Sequence, residues 1–310
     1  MYEAYEWYEQ NLIRMQSSRY ILEPYSGRSS RHSCPNCGKT KEFTRYVDTR
    51  TGEQLPEQVG RCNRVDKCAY HYTPKQYFSD NRLKPEKAKV YIPESRSPRS
   101  VSYIHNKTFI ASLTKYDENN LVKYLNLLFD AETVNHLINI YKIGTSRRYN
   151  GGTTIFWQID TLDRLRTGKL IKYNENGHRI KGKNNWVHSV LNIDKFVLKQ
   201  CLFGEHLLKY SPGQKVGIVE SEKTAIILQA KVPELVWLAT GGADGLNVDK
   251  VKPLQGRDVM LFPDASENGR IFQKWKSKAD QFGFGISDYL EQYANDEQKS
   301  NGVDIADFLM

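Results

Sequence analysis

The sequence predicts an α/β protein with three folded parts: a small N-terminal β-ribbon held by cysteines, a mixed α+β middle subdomain, and a C-terminal parallel sheet flanked by helices. Two observations carry this prediction. Four of the five cysteines fall between Cys34 and Cys68. From Lys215 onward, short apolar runs alternate with helical segments, which is the pattern of a parallel sheet with helices on both faces.

Length and composition are those of an ordinary folded protein. The chain has 310 residues, of which 39% are hydrophobic and 26% charged, enough for two or three domains. Its apolar runs are far shorter than the ~18 residues of a membrane span, and its acidic, aromatic N-terminus does not resemble a signal peptide. We therefore expect a cytoplasmic protein with no membrane partner. The net charge of +9 favours a polyanionic partner, although a merely basic protein fits the charge equally well.

Changes in composition divide the chain into four segments. Residues 1–81 are expected to hold an N-terminal helix, over residues 1–20, and the cysteine-bearing ribbon. Residues 82–100 are basic, contain prolines and show little periodicity, so they are predicted to form a linker. The middle subdomain is assigned to residues 101–212 and the parallel-sheet domain to residues 213–310.

The cysteine spacing predicts a structural zinc site. Cys34 and Cys37 are two residues apart and precede Gly38, as in a zinc knuckle whose tight turn presents two thiolates. The second half of the site lies 24 residues further on and offers three candidates for two places: Cys62, Cys68 and His71. We favour four cysteines, with His71 as the alternative fourth ligand. Because protein side chains fill all four places, the Zn²⁺ is expected to be structural rather than catalytic.

Helical spacing and strand patterns alternate in the middle segment. Residues 119–143 carry apolar residues at helical spacing, and a break at Asp130 predicts two short helices. Residues 151–160 have the pattern of a strand, and residues 162–183 that of strands joined by Gly and Asn turns.

The same segment is strongly basic. Aromatic residues interleaved with the basic ones offer faces for base stacking, although strand alternation would place about half of such side chains in a core. We predict that nucleic acid is contacted by Arg147, Arg148, Arg166, Lys169, Lys172, Lys181 and Lys183.

Acidic residues follow the predicted strands of the C-terminal domain. Glu220 ends the run KVGIVE, Asp264 ends VMLFPD, and Asp304 and Asp307 lie in GVDIADF. The carboxyl ends of parallel strands form the ligand-binding edge of such a sheet, so these carboxylates are expected to gather there. An oxygen-rich site of this kind suits Mg²⁺ or Mn²⁺ and phosphoryl transfer. The alternative is that each acid is a solvated strand end.

One pattern in this region is misleading. Residues 217–224 nearly match the phosphate-binding loop G-x-x-x-x-G-K-T, but Glu222 replaces the second glycine. A carboxylate at that position would repel a nucleotide phosphate, so we reject an ATPase.

The runs GIVESEKTAI, LFPDASENGR and GVDIADF resemble the successive motifs of the TOPRIM domain found in bacterial replicative primases, topoisomerases and some nucleases. By this resemblance Glu220, Asp264, Asp304 and Asp307 are the catalytic and magnesium-binding residues. The family's Asp-x-Asp motif is altered, because Ser266 stands in place of the second Asp. The resemblance thus leaves one ion site either absent or completed by Glu267 or Glu222.

The order of the parts resembles that of bacterial replicative primases: zinc ribbon, mixed middle subdomain, then TOPRIM domain. The middle segment is similar to the primase subdomain in YLNLLFDAETVNHLINIYKIG, GGTTIFWQIDTLDRLRTGKLIKY and CLFGEHLL. The resemblance implies a nucleotidyltransferase that joins nucleoside triphosphates on a single-stranded DNA template. A helicase motor is not recognised in the sequence, so a plasmid or other mobile element is the expected setting, with a separate helicase or replication initiator as partner.

Two other functions are compatible with these motifs. A TOPRIM nuclease would use the same metal chemistry for hydrolysis, and a catalytically weak DNA-binding protein would keep the fold for recruitment. Ser266 is the sequence feature that favours the second of these. A topoisomerase is disfavoured, since 310 residues leave no room for a strand-gating domain.

Overall fold

A computed structural model describes residues 19–65, 67–83 and 100–309. The chain divides into two compact units, Met1–Arg99 and Ser100–Met310. Residues 1–18 of the predicted N-terminal helix and residues 84–99 of the predicted linker lie outside the described residues, and Tyr20, the last residue of that helix prediction, belongs to a strand. Within the described part of the chain, no helix is long and apolar enough to cross a membrane.

The N-terminal unit contains a four-stranded antiparallel sheet in the order β1-β2-β3-β4. Phe43 and Val59 are fully buried in its small core, next to Cys34 and Cys62. A short helix follows the last strand and begins with a capping box formed by Thr73 and Gln76. The elements are β1 (Tyr20–Leu22), β2 (Phe43–Asp48), β3 (Gly60–Cys62), β4 (His71–Tyr72) and α1 (Pro74–Asp80).

The first half of the second unit has three helices followed by a four-stranded antiparallel sheet in the order β5-β6-β7-β8. The predicted break at Asp130 is confirmed, because its carboxylate accepts a hydrogen bond from the Thr133 amide (2.8 Å) and caps the third helix. The elements are α2 (Asn106–Ser112), α3 (Asn120–Leu128), α4 (Ala131–Tyr141), β5 (Gly144–Ser146), β6 (Thr153–Ile159), β7 (Leu165–Tyr173), β8 (Arg179–Trp186) and α5 (Val187–Val190).

The second half of this unit is the predicted parallel sheet. Its four strands run parallel in the order β10-β9-β11-β12. A 3₁₀ helix, Glu205–Lys209, precedes the first strand of this sheet. Two more, Lys252–Leu254 and Glu267–Gly269, lie in the connections between its strands. The elements are β9 (Val216–Val219), α6 (Glu222–Lys231), β10 (Val236–Ala239), α7 (Val248–Val251), β11 (Val259–Leu261), α8 (Arg270–Phe282), β12 (Gly285–Ile286), α9 (Tyr289–Tyr293), α10 (Asp296–Asn301) and α11 (Ile305–Phe308).

Helices cover both faces of the parallel sheet, as the sequence predicts. Val219 and Trp237 belong to the same buried cluster as Ala225 of α6. Ile218 of β9 belongs to a second cluster that includes Trp275 of α8. The period of two along a strand sends neighbouring side chains to opposite faces, which explains why these strands are apolar throughout.

The antiparallel and parallel sheets of the second unit share a core. The cluster that contains α6 also includes residues of α3, α4, β6 and β7. Tyr141, at the end of α4, donates a hydrogen bond to the carbonyl of Trp237 (2.8 Å). The predicted middle subdomain and parallel-sheet domain therefore form one compact unit.

Candidate functional site: a four-cysteine centre and an acidic cleft

Four thiols gather in the N-terminal unit. The ligand atoms of Cys34, Cys37, Cys62 and Cys68 all lie within 4.8 Å of one another, and the sulfurs of Cys34 and Cys68 are 3.8 Å apart. A tetrahedral zinc ion with Zn–S bonds of about 2.3 Å requires sulfurs about 3.8 Å apart. The four thiols therefore fit Zn²⁺, and four filled places make the site structural.

His71, the alternative fourth ligand, does not belong to this group of thiols. His71 lies on β4, paired with Arg61, and its Nε2 atom is 2.9 Å from the hydroxyl of Tyr46. The wide gap between Cys62 and Cys68 is closed by a turn in which the Cys68 amide donates to the Arg64 carbonyl (2.9 Å). The structure thus gathers the four cysteines of the favoured prediction, and His71 has a different neighbour.

Polar groups also orient the sulfurs. The side-chain amide of Asn36 donates to Cys68 Sγ at 3.4 Å, and the Arg64 guanidinium lies 3.8 Å from Cys37 Sγ. Gly38 ends the first knuckle with φ +66°, and its amide donates to the Cys34 carbonyl at 2.9 Å. Such contacts hold thiolates in place before the metal binds.

A second site lies at the carboxyl edge of the parallel sheet. Strand β9 lies between β10 and β11, so the residues that follow β9 and β11 meet at this edge. Glu220 follows β9 directly, and Asp264 comes three residues after β11. Together with Asp304 they line a cleft of about 250 Å³, whose other walls are formed by Tyr173, Gly177, His178, Arg179, Ser221, Lys223 and Gly242.

Two of the cleft carboxyl groups, those of Glu220 and Asp264, are shielded from solvent and have raised pKa values. Glu220 is 9% exposed, and its Oε1 atom has no hydrogen-bond partner. Burial raises the pKa of Glu220 to about 7. Burial, and then the neighbouring Glu220 and Asp304 carboxylates, raise the pKa of Asp264 well above its usual range. A cation between these groups would relieve both effects.

Asp304 is fixed more firmly than the other two acids. It caps α11 by accepting the amide of Asp307 (2.8 Å), and it accepts a hydrogen bond from the Thr224 hydroxyl. Asp307 does not line the cleft. Its carboxylate lies 3.5 Å from the ammonium of Lys223. The structure therefore brings three of the four predicted acids together in the cleft, and the fourth, Asp307, is paired with Lys223.

The three side chains considered for the altered motif position have different surroundings. The Ser266 hydroxyl accepts the amide of Ile271 (2.8 Å) in the first turn of α8. Glu222 is buried, and its carboxylate lies 2.9 Å from the Lys169 ammonium. Glu267 is exposed. None of the three is among the residues that line the cleft.

The seven predicted basic contact residues fall into three groups. Arg147, Arg148, Lys181 and Lys183 are exposed. Lys172 is half-buried and donates to the Gly151 carbonyl. Two differ from the expectation, because the structure buries Arg166 against Asp160 (2.7 Å) and Lys169 against Glu222 (2.9 Å).

Three basic residues that line the cleft were not among the predicted site residues: His178, Arg179 and Lys223. Arg179 donates a hydrogen bond to the Ser221 hydroxyl (2.9 Å), so the start of β8 reaches the edge of the parallel sheet. Lys223 lies in the first acidic motif, GIVESEKTAI, so its closeness to Glu220 in the sequence could have identified it as a cleft residue. No sequence pattern indicates that His178 and Arg179 lie in the same cleft as Glu220, which is about 40 positions further along the chain.

Comparison with protein families gives two matches. Residues 18–83 match the family described as a zinc beta-ribbon finger. The N-terminal unit is a zinc β-ribbon. Residues 119–265 match the family described as "Domain of unknown function (DUF6371)", which spans the antiparallel sheet and β9 to β11. No curated protein matches the chain.

Several solved structures are similar to the chain at low identity. The primase fragment of the bacteriophage T7 primase-helicase protein is 14% identical over 86% of this chain and 96% of that one, with a TM-score of 0.39. The E. coli primase catalytic core is 11% identical over 66% and 80%, with a TM-score of 0.41. The zinc-binding and RNA polymerase domains of the Aquifex aeolicus primase are 14% identical over 92% and 80%, with a TM-score of 0.34.

Proposed function

We propose that this chain is a primase-like nucleotidyltransferase that makes short primers on single-stranded DNA by divalent-metal-assisted phosphoryl transfer. The observation that carries the proposal is the composition of the cleft. Three carboxylates, Glu220, Asp264 and Asp304, line it together with the cationic side chains of Arg179 and Lys223. Acids that bind a metal and cations that bind phosphate are what a metal–nucleotide complex requires.

The acidic residues fit a divalent ion. Glu220, Asp264 and Asp304 would hold it, and the unpartnered, buried Oε1 of Glu220 is a ligand atom with no other role among the described residues. Oxygen ligands of this kind suit Mg²⁺ or Mn²⁺. A bound ion would stabilise charge on the phosphoryl oxygens during transfer.

Arg179 is the residue best arranged to bind the triphosphate. Its guanidinium is fixed on one side by the Ser221 hydroxyl at 2.9 Å and by the Glu222 carboxylate at 3.7 Å. About half of its side chain remains exposed, at 48%. A guanidinium held in this way can present its remaining N–H groups to phosphate oxygens in a fixed geometry.

The template would follow β8 and the loop after β5. Lys181 and Lys183 are exposed on β8, and the Lys183 ammonium lies 5.5 Å from the ring of Tyr149. The Arg148 guanidinium lies 5.5 Å from the same ring on that loop. An aromatic ring flanked by cations suits a single strand, because bases stack on the ring while cations contact phosphates.

The other partners in this proposal follow from the proposed reaction. Nucleoside triphosphates are its substrates, and the zinc β-ribbon would help to hold the start site on the template. A separate helicase or replication initiator would bring the protein to a plasmid or other mobile element, in the cytoplasm where the template and nucleotides are found.

One observation favours a second candidate, a DNA-binding protein that recruits other factors without catalysis. Ser266 replaces a carboxylate of the TOPRIM-like motif, and its hydroxyl is used by the backbone of α8. Such a protein would bind single-stranded DNA through β8 and form no product.

A primer-synthesis assay tests the proposal. The zinc-loaded protein is incubated with single-stranded templates, labelled ribo- and deoxyribonucleotides, and Mg²⁺ or Mn²⁺. We expect short template-dependent products from the wild type and none from Asp264→Asn. Asp280→Asn, a change at an exposed position of α8, is the matched control and should leave synthesis unchanged. Shortened templates would indicate a nuclease, and binding without product would indicate the recruiting protein.

A further inference from the structure

The number of ions that the cleft can hold depends on which oxygen ligands are free. The candidate ligands in the three acidic motifs are Glu220, Glu222, Asp264, Ser266, Glu267, Asp304 and Asp307. Glu267 is exposed, Asp307 lies 3.5 Å from the Lys223 ammonium, and neither lines the cleft. Glu222 and Ser266 are engaged with other groups of the protein.

Glu222 is engaged through both carboxylate oxygens. The Lys169 ammonium lies 2.9 Å from its Oε1 atom and 3.2 Å from its Oε2 atom, and Arg179 lies 3.7 Å from Oε2. The side chain is 1% exposed. Lys169 also donates to the Gly241 carbonyl at 2.8 Å, which fixes the ammonium in place. A cation at Glu222 would have to displace a buried ammonium ion, which is unfavourable.

Ser266 is engaged with the backbone. Its hydroxyl accepts the Ile271 amide at 2.8 Å, and its carbonyl accepts the Gly269 amide at 3.1 Å. The residue is 6% exposed. It stabilises the start of α8, because the first amides of a helix have no partner within the helix. Its hydroxyl oxygen is therefore a helix-capping group rather than a metal ligand.

The three remaining carboxylates have the charge for one divalent ion. Glu220 keeps a buried oxygen without a partner, and Asp264 and Asp304 lie in the same cleft. Lys223 and Arg179 line that cleft too, but they lie 3.5 Å from Asp307 and 3.7 Å from Glu222, so carboxylates outside this set of three balance their charges. A second divalent ion without its own carboxylate would leave the cleft with excess positive charge.

We infer that the cleft holds a single protein-bound divalent cation, on Glu220, Asp264 and Asp304, and that Glu222 and Ser266 contribute no second ion position. The inference rests on the proposed function in that it takes the cleft to be a metal site. Any further ion at the reaction centre would arrive with the phosphates of the nucleotide, and Arg179 would supply the other positive charge.

Counting bound Mn²⁺ tests the inference without an activity measurement. The zinc-loaded chain is titrated with Mn²⁺ in the absence of nucleotide, and free Mn²⁺ is followed by its electron paramagnetic resonance signal. We expect one ion per wild-type chain and loss of that ion in Asp264→Asn. Ser266→Ala should keep both the stoichiometry and the dissociation constant of the wild type, and Glu222→Gln should keep the stoichiometry. Asp280→Asn is again the matched control.

The outcomes separate this inference from the proposed function. Two ions that both depend on Asp264 would overturn the single-ion inference and leave the proposed enzyme intact. No ion in the wild type would overturn both. Weaker binding in Ser266→Ala, or loss of a bound ion in Glu222→Gln, would show that one of these side chains is a ligand and would overturn the inference. If Glu222→Gln does not fold, the ion count and affinity of Ser266→Ala still test the inference.

Discussion

The ammonium of Lys169 lies 2.9 Å from Oε1 of Glu222, and this ion pair joins strand β7 of the antiparallel sheet to helix α6 of the parallel sheet. Both side chains are largely shielded from solvent, at 11% and 1% exposed. The pair lies beside the cleft, since Glu222 also faces Arg179 at 3.7 Å. It therefore links the packing of the two sheets to the position of a cleft residue.

Breaking this pair should destabilise the second unit. Lys169→Met leaves the Glu222 carboxylate buried without its main partner, and the loss of one partner of a buried pair costs about 3–5 kcal/mol. Urea denaturation followed by circular dichroism measures the change. Lys195→Met, at a position whose side chain is 80% exposed, should leave the free energy of unfolding nearly unchanged.

The double variant Lys169→Met/Glu222→Gln separates the charge from the packing. It removes both charges, so it should be more stable than Lys169→Met alone. A double variant no more stable than the single one would show that the ammonium acts through its hydrogen bond to the Gly241 carbonyl rather than through Glu222.

Features set by neighbouring residues were the most predictable from the sequence. Asp130 caps α4 through an amide three residues away, and Cys34 and Cys37 share one turn. Ser221 shows where this local reasoning ends. It stands at the start of α6, where a serine commonly caps a helix, but its hydroxyl makes no capping hydrogen bond and instead accepts one from Arg179. No local pattern indicates a partner 42 residues away.

The burial of Arg166 and Lys169 could not be predicted for a related reason. Strand patterns identify β7, but a basic residue in a strand is expected to point to solvent unless its partner is known. The partners are Asp160, directly after β6, and Glu222, 53 residues after Lys169. Sequence alone therefore indicated Glu220 and Asp264, which follow strands of the parallel sheet, and missed the pairing of these two buried cations.

Stability should fall as pH rises through the titration of Glu205. Burial raises the pKa of this carboxyl group to about 7 from its ordinary value of 4.5, and the side chain is 3% exposed. The folded state thus favours the protonated form. Its stabilising contribution is complete below about pH 4.5 and is lost as pH rises through about 7, by about 3 kcal/mol in total.

Glu205→Gln isolates this effect. The variant keeps a neutral acceptor for the Leu202 amide, which lies 3.2 Å from the Glu205 carboxylate. The difference in free energy of unfolding between variant and wild type, measured by urea denaturation from pH 5 to pH 8, should grow in favour of the variant as pH rises. A difference that does not change with pH would contradict the raised pKa.

Zinc removal should unfold the N-terminal unit. Few buried apolar side chains support it besides Phe43, and its core cluster contains Cys34 and Cys62 themselves. In such small domains metal binding supplies much of the folding free energy. We expect one zinc per wild-type chain by elemental analysis, and loss of both zinc and N-terminal structure in Cys62→Ser.

His71→Ala is the matched control for the zinc site. It removes the contact with the Tyr46 hydroxyl and the stacking on the Tyr46 ring, and neither involves the four cysteines, so zinc content should stay at that of the wild type. A protein that loses its zinc on this change would show that the histidine is a ligand. Hydrogen exchange of residues 19–83 reports the folding of the ribbon separately from that of the second unit.

Binding of single-stranded DNA should depend on the exposed cations of β8. If Lys181 and Lys183 each contact a phosphate, Lys181→Ala/Lys183→Ala should reduce the slope of log affinity against log salt by about 1.4, at about 0.7 per contact. Fluorescence anisotropy with a labelled oligonucleotide at several salt concentrations measures this slope. Lys195→Ala serves as the control for loss of an exposed charge elsewhere in the same unit.

Substitution of Tyr149 distinguishes a DNA-binding site that stacks bases from a surface that attracts DNA by charge alone. Its ring lies within 5.5 Å of both the Arg148 guanidinium and the Lys183 ammonium. Tyr149→Ala should weaken binding by about 1–3 kcal/mol through loss of base stacking, with the salt slope retained, because no charge is removed. Tyr149→Phe should bind nearly as the wild type does, since the ring is kept. Equal binding by Tyr149→Ala and wild type, with a reduced slope in the lysine variant, would mean that β8 attracts DNA by charge alone.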